Sequence, residues 1–202
     1  AETLDFLREQ AKGATWITSV CTGSLVLAAA GLLSGYRATS HWLSLNQLAF
    51  FDAIPVEERV VRDRNRLTGA GVTSGIDFAL VLAAELFGED RARHAQLVME
   101  YDPAPPFAGG SPQNSDPELV DRARAGAAKF QARREDVARQ AARALVELAS
   151  MAGLSTARYS SAEEYANRAI RLAASLGDRA LEAEALVALA NSRARSEGPR
   201  AA

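Results

Sequence analysis

Cysteine and histidine are nearly missing from this sequence. One Cys and two His occur in 202 residues, so an internal disulfide is excluded and no metal-ligand spacing exists. No apolar run reaches the ~18 residues that a membrane-spanning helix requires. The formal net charge is -2, whereas binding to nucleic acid or to an anionic membrane needs a concentrated positive field. Neither partner is expected. The first residues, AETLDFLREQAKGA, carry acids and lack the apolar core of a secretory signal. These absences point to a reducing, cytoplasmic setting. The missing initial methionine fits a chain cut at its start.

What is present is 48% hydrophobic and 24% charged, the balance of a globular chain with one large domain, or one and a fragment. Residues 2–12 read as a helix closed by Gly13. ATWITSV reads as a strand buried on both faces, and SLVLAAAGLL as a helix stopped near Gly31 or Gly35. YRATSHW is a short candidate strand, residues 43–51 look helical, and VVRD with RLTGA form a hairpin tipped by Asp63, Arg64 and Asn65. GIDFALVLAAELFG, residues 75–88, is a strongly apolar helix. The order of elements marks an α/β domain. Five of the seven prolines fall in residues 101–117, an extended crossing over the surface. From Glu118 onward the chain is a helical tail, with breaks near Gly153-Leu154-Ser155 and Gly177-Asp178.

Cys21 lies where the β-branched run gives way to the apolar helix. A thiol at a strand-to-helix turn faces the first N–H groups of the helix, which favour its thiolate. Gly23 leaves room for a sharp turn, as in a nucleophile elbow. An isolated Cys in an apolar run is also a common inert core residue. Pattern alone leaves both readings open.

SVCTGSLVLAAAGLLSGYRATSHW, AIPVEERVVRDRNRLTGAGVTSGIDFALVLAAELFG and MEYDPAPPFAGGSP together resemble the isocyanide hydratase branch of the DJ-1/PfpI superfamily. The likeness runs from about residue 1 to about residue 147. It implies an α/β, flavodoxin-like sandwich of the class I glutamine amidotransferase type, N-terminally truncated by roughly 80 residues, with an all-α C-terminal tail. The expected division is a partial DJ-1/PfpI domain over 1–117, its C-terminal helix over 118–150, and a tetratricopeptide-like helical hairpin over 151–202. The resemblance implies a homodimer that hydrates a small-molecule isocyanide to an N-substituted formamide with no cofactor and no metal. Cys21 would be the nucleophile, and Thr22 would supply its backbone N–H and hydroxyl to the site. Gly23, His41, Gly71, Val72 and Thr73 would lie near the pocket. The general acid would be a carboxylate upstream of this sequence, since neither Glu2 nor Asp5 matches its position.

Several features have plainer explanations. His41 fits a strand-end histidine bonded to backbone, and His94 a solvated helix face. GAGVTSG departs from the dinucleotide spacing G-x-G-x-x-G and reads as a packing turn. The arginines from 122 to 143 are interspersed with acids, as on a solvated face. Two other functions compete with hydration. One is the ligand-sensing domain of an AraC-type transcription regulator, with a helix-turn-helix corner at residues 148–160. The other is a non-catalytic remnant.

Overall fold

The computed structural model describes residues 2–155 and 159–197. Helix α1 (Glu2–Ala11) leads into β1 (Ile17–Val20) and α2 (Gly23–Ala29). Strands β2 (Arg37–Ala38) and β3 (Ile54–Pro55) flank a 3-10 helix (Trp42–Phe51), and β4 (Val60–Asp63) and β5 (Arg66–Gly69) follow. Helices α3 (Ser74–Phe87), α4 (Glu89–Val98), α5 (Pro117–Ser155), α6 (Tyr159–Leu176) and α7 (Arg179–Glu197) complete the order.

Among the described residues, the main sheet runs β1-β5-β4. β1 pairs parallel with β5, from Ile17 opposite Arg66 to Val20 opposite Gly69, while β4 and β5 form the expected antiparallel hairpin. Arg64 at its tip takes φ 54°. Its guanidinium lies 3.5 Å from the Tyr36 ring centroid and donates to the Gly35 carbonyl at 2.8 Å. A non-glycine residue is thus held in a left-handed turn by contacts of its own side chain.

The core gathers Leu25, Leu27 and Ala28 of α2, Leu33, and Leu45, Leu48 and Phe51 of the 3-10 helix. The tail supplies its other wall. Ala138, Ala142, Leu145, Val146 and Ala149 form one stripe of α5 at helical spacing, and Ala169, Leu172 and Ala173 face them from α6. Small alanines let these helices approach closely, and long α5, roughly 58 Å by its 39 residues, spans from the surface crossing to the bundle. The Arg193–Glu163 ion pair joins the end of α7 to the start of α6, so the hairpin is antiparallel.

The structure differs from the sequence reading in several places. The strand at 14–20 shortens to Ile17–Val20, and only Ile17 is buried, because the sheet covers just one edge of β1. YRATSHW contributes two strand residues, since the Thr39 N–H donates to the Thr68 side chain at 2.9 Å instead of continuing a ladder. Residues 43–51 coil as a 3-10 helix. The apolar helix at 75–88 forms, yet Ser74 is its one buried residue. Residues 89–98 form the polar helix expected around His94, which is exposed on it. The expected helix-turn-helix corner at 148–160 includes residues 156–158, outside the described residues.

Candidate active site

The ladder between β1 and β5 runs one residue past the strand, because the Cys21 N–H donates to the Gly69 carbonyl at 2.9 Å. The chain then turns sharply, with Cys21 at φ 59°. For a side-chain-bearing residue this left-handed conformation costs about 1–2 kcal/mol, so neighbours must hold it. The Cys21 carbonyl accepts from the Ser24 N–H at 3.5 Å, the Ser24 hydroxyl at 3.0 Å and the Ser40 hydroxyl at 3.2 Å. Three donors fix one strained peptide. The thiol residue itself is half-buried and in no disulfide.

Thr22 follows at φ -73°, ψ 0° and caps α2 through its carbonyl, which accepts from the Leu25 N–H at 3.1 Å; its hydroxyl makes no capping bond. Gly23 is not what makes the turn possible. A Cβ there would meet Ser19 Cβ at 3.5 Å, an ordinary contact, and Gly23 is not among the residues at positive φ. The tight position belongs to Cys21.

A second strand-to-helix turn lies beside the first. The Gly71 carbonyl accepts from the Ser74 N–H at 3.0 Å and the Ser74 hydroxyl at 2.6 Å, repeating the serine lock of the cysteine turn. Gly69 is confined, since a Cβ would sit 3.0 Å from Ser74 Oγ and 3.3 Å from Phe78 Cβ. Gly71 faces His41, whose Cδ2 lies 3.9 Å from where a Cβ would be. Val72 is 79% exposed. Thr73 is held by Arg59, which donates to its carbonyl at 3.0 Å and also ion-pairs with Asp77. The Tyr101 hydroxyl donates to the same Asp77 at 3.1 Å.

His41 caps the 3-10 helix, its Nδ1 accepting from the Leu43 N–H at 3.3 Å, and its ring stacks on Trp42. Burial, and secondarily the Arg134 charge, hold its pKa below the usual 6.5, so a neutral imidazole suits the acceptor role. Next to the two turns is a cavity of about 190 Å³, walled by Thr39, Ser40, Trp42, Gly71, Thr73 and Pro112, with Glu57 and Glu58 as its acids. Ser40 connects the cavity to the elbow, because the hydroxyl that holds the Cys21 carbonyl belongs to a residue of the cavity wall. Cys21, His41 and Val72 are not among the wall residues.

Sequence reasoning missed Ser40 and the Arg59–Asp77–Tyr101 cluster. Ser40 carried a signal, a hydroxyl directly before the singled-out His41. The cluster carried none, because its members are scattered over 43 positions of chain, from residue 59 to residue 101. Among the described residues, no carboxylate hydrogen-bonds to Cys21, Thr22 or Gly23, and Asp5 is engaged with Arg8 at 2.6 Å. No cluster of His, Cys, Asp and Glu among the described residues could hold a metal ion. No helix among them is long and apolar enough to cross a membrane.

Residues 1–85 match the model of the DJ-1/PfpI family. An isonitrile hydratase from Pseudomonas putida is 55% identical over 141 residues, covering 70% of this chain. Residues 1–85 therefore form a segment of the DJ-1/PfpI family. Within it the likeness favours the isocyanide hydratase branch. A crystal structure of a ThiJ/PfpI family protein from Pseudomonas syringae superposes with a TM-score of 0.66 at 51% identity, covering 68% of this chain. An HTH-type transcriptional regulator, GbdR from Pseudomonas aeruginosa, is 37% identical over 103 residues, covering 50% of this chain and 28% of the regulator. The chain spans 62% of the length of the hydratase and 57% of that of the solved structure.

Proposed function

We propose that the chain carries the thiol half of a cofactor-free isocyanide hydratase, with Cys21 as the nucleophile. The observation that carries this reading is the left-handed Cys21 peptide, held by Ser24 and Ser40. Backbone strain over-determined by its surroundings concentrates at functional sites, and an inert core cysteine gains nothing from it. The 55% identity to an isonitrile hydratase supports the substrate class.

The Cys21 sulfur bonds to the terminal carbon of R–N≡C while that carbon gains a proton, giving the thioimidate R–N=CH–S–Cys. Water then adds to the same carbon as the nitrogen is protonated. The C–S bond breaks, the thiol regains a proton, and R–NH–CHO leaves. Only water is consumed. Thr22 contributes a backbone N–H at the start of α2, where it can stabilise charge on the adduct. The proton donor in this scheme is a carboxylate outside the present sequence. The reaction takes place in the cytoplasm and the assembly is a homodimer, a pairing that the exposed Ile76, Phe87 and Leu97 on α3 and α4 support.

The test is formation of N-substituted formamide from an aryl isocyanide by the chain alone, by the chain joined to the upstream part of its hydratase relative, and by Cys21→Ser of the latter. The joined protein turns over and its Cys21→Ser variant does not. An unchanged rate in that variant overturns the assignment. The identity to a transcriptional regulator favours a second reading, in which the elbow senses a ligand without turnover. Saturable isocyanide binding without formamide in the joined protein selects it.

A further inference from the structure

A second cavity, of about 390 Å³, opens away from the elbow between α1, the end of α2, α5 and α6. Its volume falls in the range of small-molecule sites. Its wall combines Arg8, Arg168 and Tyr165 with the apolar Leu32, Leu145 and Leu148; among the described residues no acidic one lines it.

The local charges do not balance. Arg8 pairs with Asp5 at 2.6 Å and donates to the Ala30 carbonyl at 3.1 Å. Arg171 pairs with Asp52 through two 3.1 Å bonds, and Ser34 also donates to that carboxylate at 2.6 Å. Among the described residues, Arg168 has no carboxylate of its own. One of its terminal nitrogens donates to the Gly31 carbonyl at 3.1 Å, while its Nε is buried without a hydrogen-bond partner. Among the described residues three cations thus face two carboxylates, and the surplus charge is that of Arg168 in the cavity wall. Burial lowers the Arg168 pKa, and the attraction of Asp52 works against that shift. A buried charge without a counter-ion is costly, and an unpaired guanidinium presents the planar fork that a carboxylate fits.

We infer that this cavity binds a small aliphatic carboxylate, its head on Arg168 and its chain against Leu32, Leu145 and Leu148. The site is separate from Cys21 and holds whether or not the thiol is catalytic.

The test is isothermal titration calorimetry of the full chain with hexanoate, hexanol and inorganic phosphate. Hexanoate binds saturably, and hexanol, which lacks the charge, binds at least about tenfold more weakly. Arg168→Met loses hexanoate by a similar factor. Should that variant fail to fold, Leu148→Glu answers the same question, since Leu148 is 54% exposed and a carboxylate there supplies Arg168 with an internal partner. Leu148→Glu weakens hexanoate about tenfold, and Cys21→Ala leaves binding unchanged. Absence of saturable hexanoate binding, equal binding of hexanol, tighter binding of phosphate than hexanoate, or undiminished affinity in Leu148→Glu overturns the proposal.

Discussion

The two strand-to-helix turns, Cys21–Ser24 and Gly71–Ser74, are built on one plan. Each follows one of two parallel strands, and in each a serine three residues on donates both its N–H and its hydroxyl to the first carbonyl. They differ at the first residue. Gly71 stands where a Cβ would find nothing closer than 3.9 Å, outside the positive-φ region. Cys21 bears a side chain and takes φ 59°, with Ser40 as an additional donor. The second turn could be built from many residues at little cost. The first keeps a strained cysteine where glycine would be easier, which points to the thiol as the reason for the strain.

The helices after these turns extend the contrast. α2 buries Ser24, Leu25, Leu27 and Ala28 beneath the 3-10 helix and the α5–α6 pair, whereas α3, just as apolar, buries Ser74 alone. Apolar composition predicts that a helix is buried somewhere; what covers it depends on which other elements the chain provides.

The largest effect that separates these regions falls on the covered one. Leu48→Ala, at a fully buried position beneath the α5–α6 pair, costs about 2–5 kcal/mol, measured by urea unfolding, while Val81→Ala on exposed α3 costs well under half as much. Gly69→Ala pushes a methyl onto Ser74 and Phe78 and costs about 1–3 kcal/mol by the same measurement. Cys21→Gly works in the opposite direction. It relieves the left-handed strain and raises stability by up to about 1 kcal/mol, while it abolishes reaction with isocyanide; a loss of stability would remove the contrast drawn between the turns.

The smallest effect is on pH dependence. The folded pKa of His41 is held below 6.5, so the unfolded chain binds the proton more readily. Stability is therefore fully present above about pH 6.5 and declines as the pH falls from there through the folded pKa. His41→Gln flattens this decline, seen in melting temperatures taken at successive pH values.

Much of this was legible in the sequence. The hairpin tip at Asp63-Arg64-Asn65, the turn at Cys21 and the break at Gly177-Asp178 all declared themselves through local chemistry. The exposure of α3 did not, because burial is set by partners far away in the chain. The role of Gly23 was misjudged for a related reason: glycine signals freedom, but the structure takes the strained conformation at its neighbour. The Arg168 charge surplus was invisible too, since it depends on Asp5 and Asp52 being engaged by other arginines.

The central claim is that the strained thiol attacks the isocyanide carbon, a step read in the joined protein, which also supplies the proton donor. Peptide mapping by mass spectrometry after incubation with an aryl isocyanide tests it directly. The account predicts either a covalent adduct of one isocyanide on the peptide containing Cys21, or formamide in solution that disappears in Cys21→Ala. An unmodified Cys21 peptide with no formamide formed would contradict it.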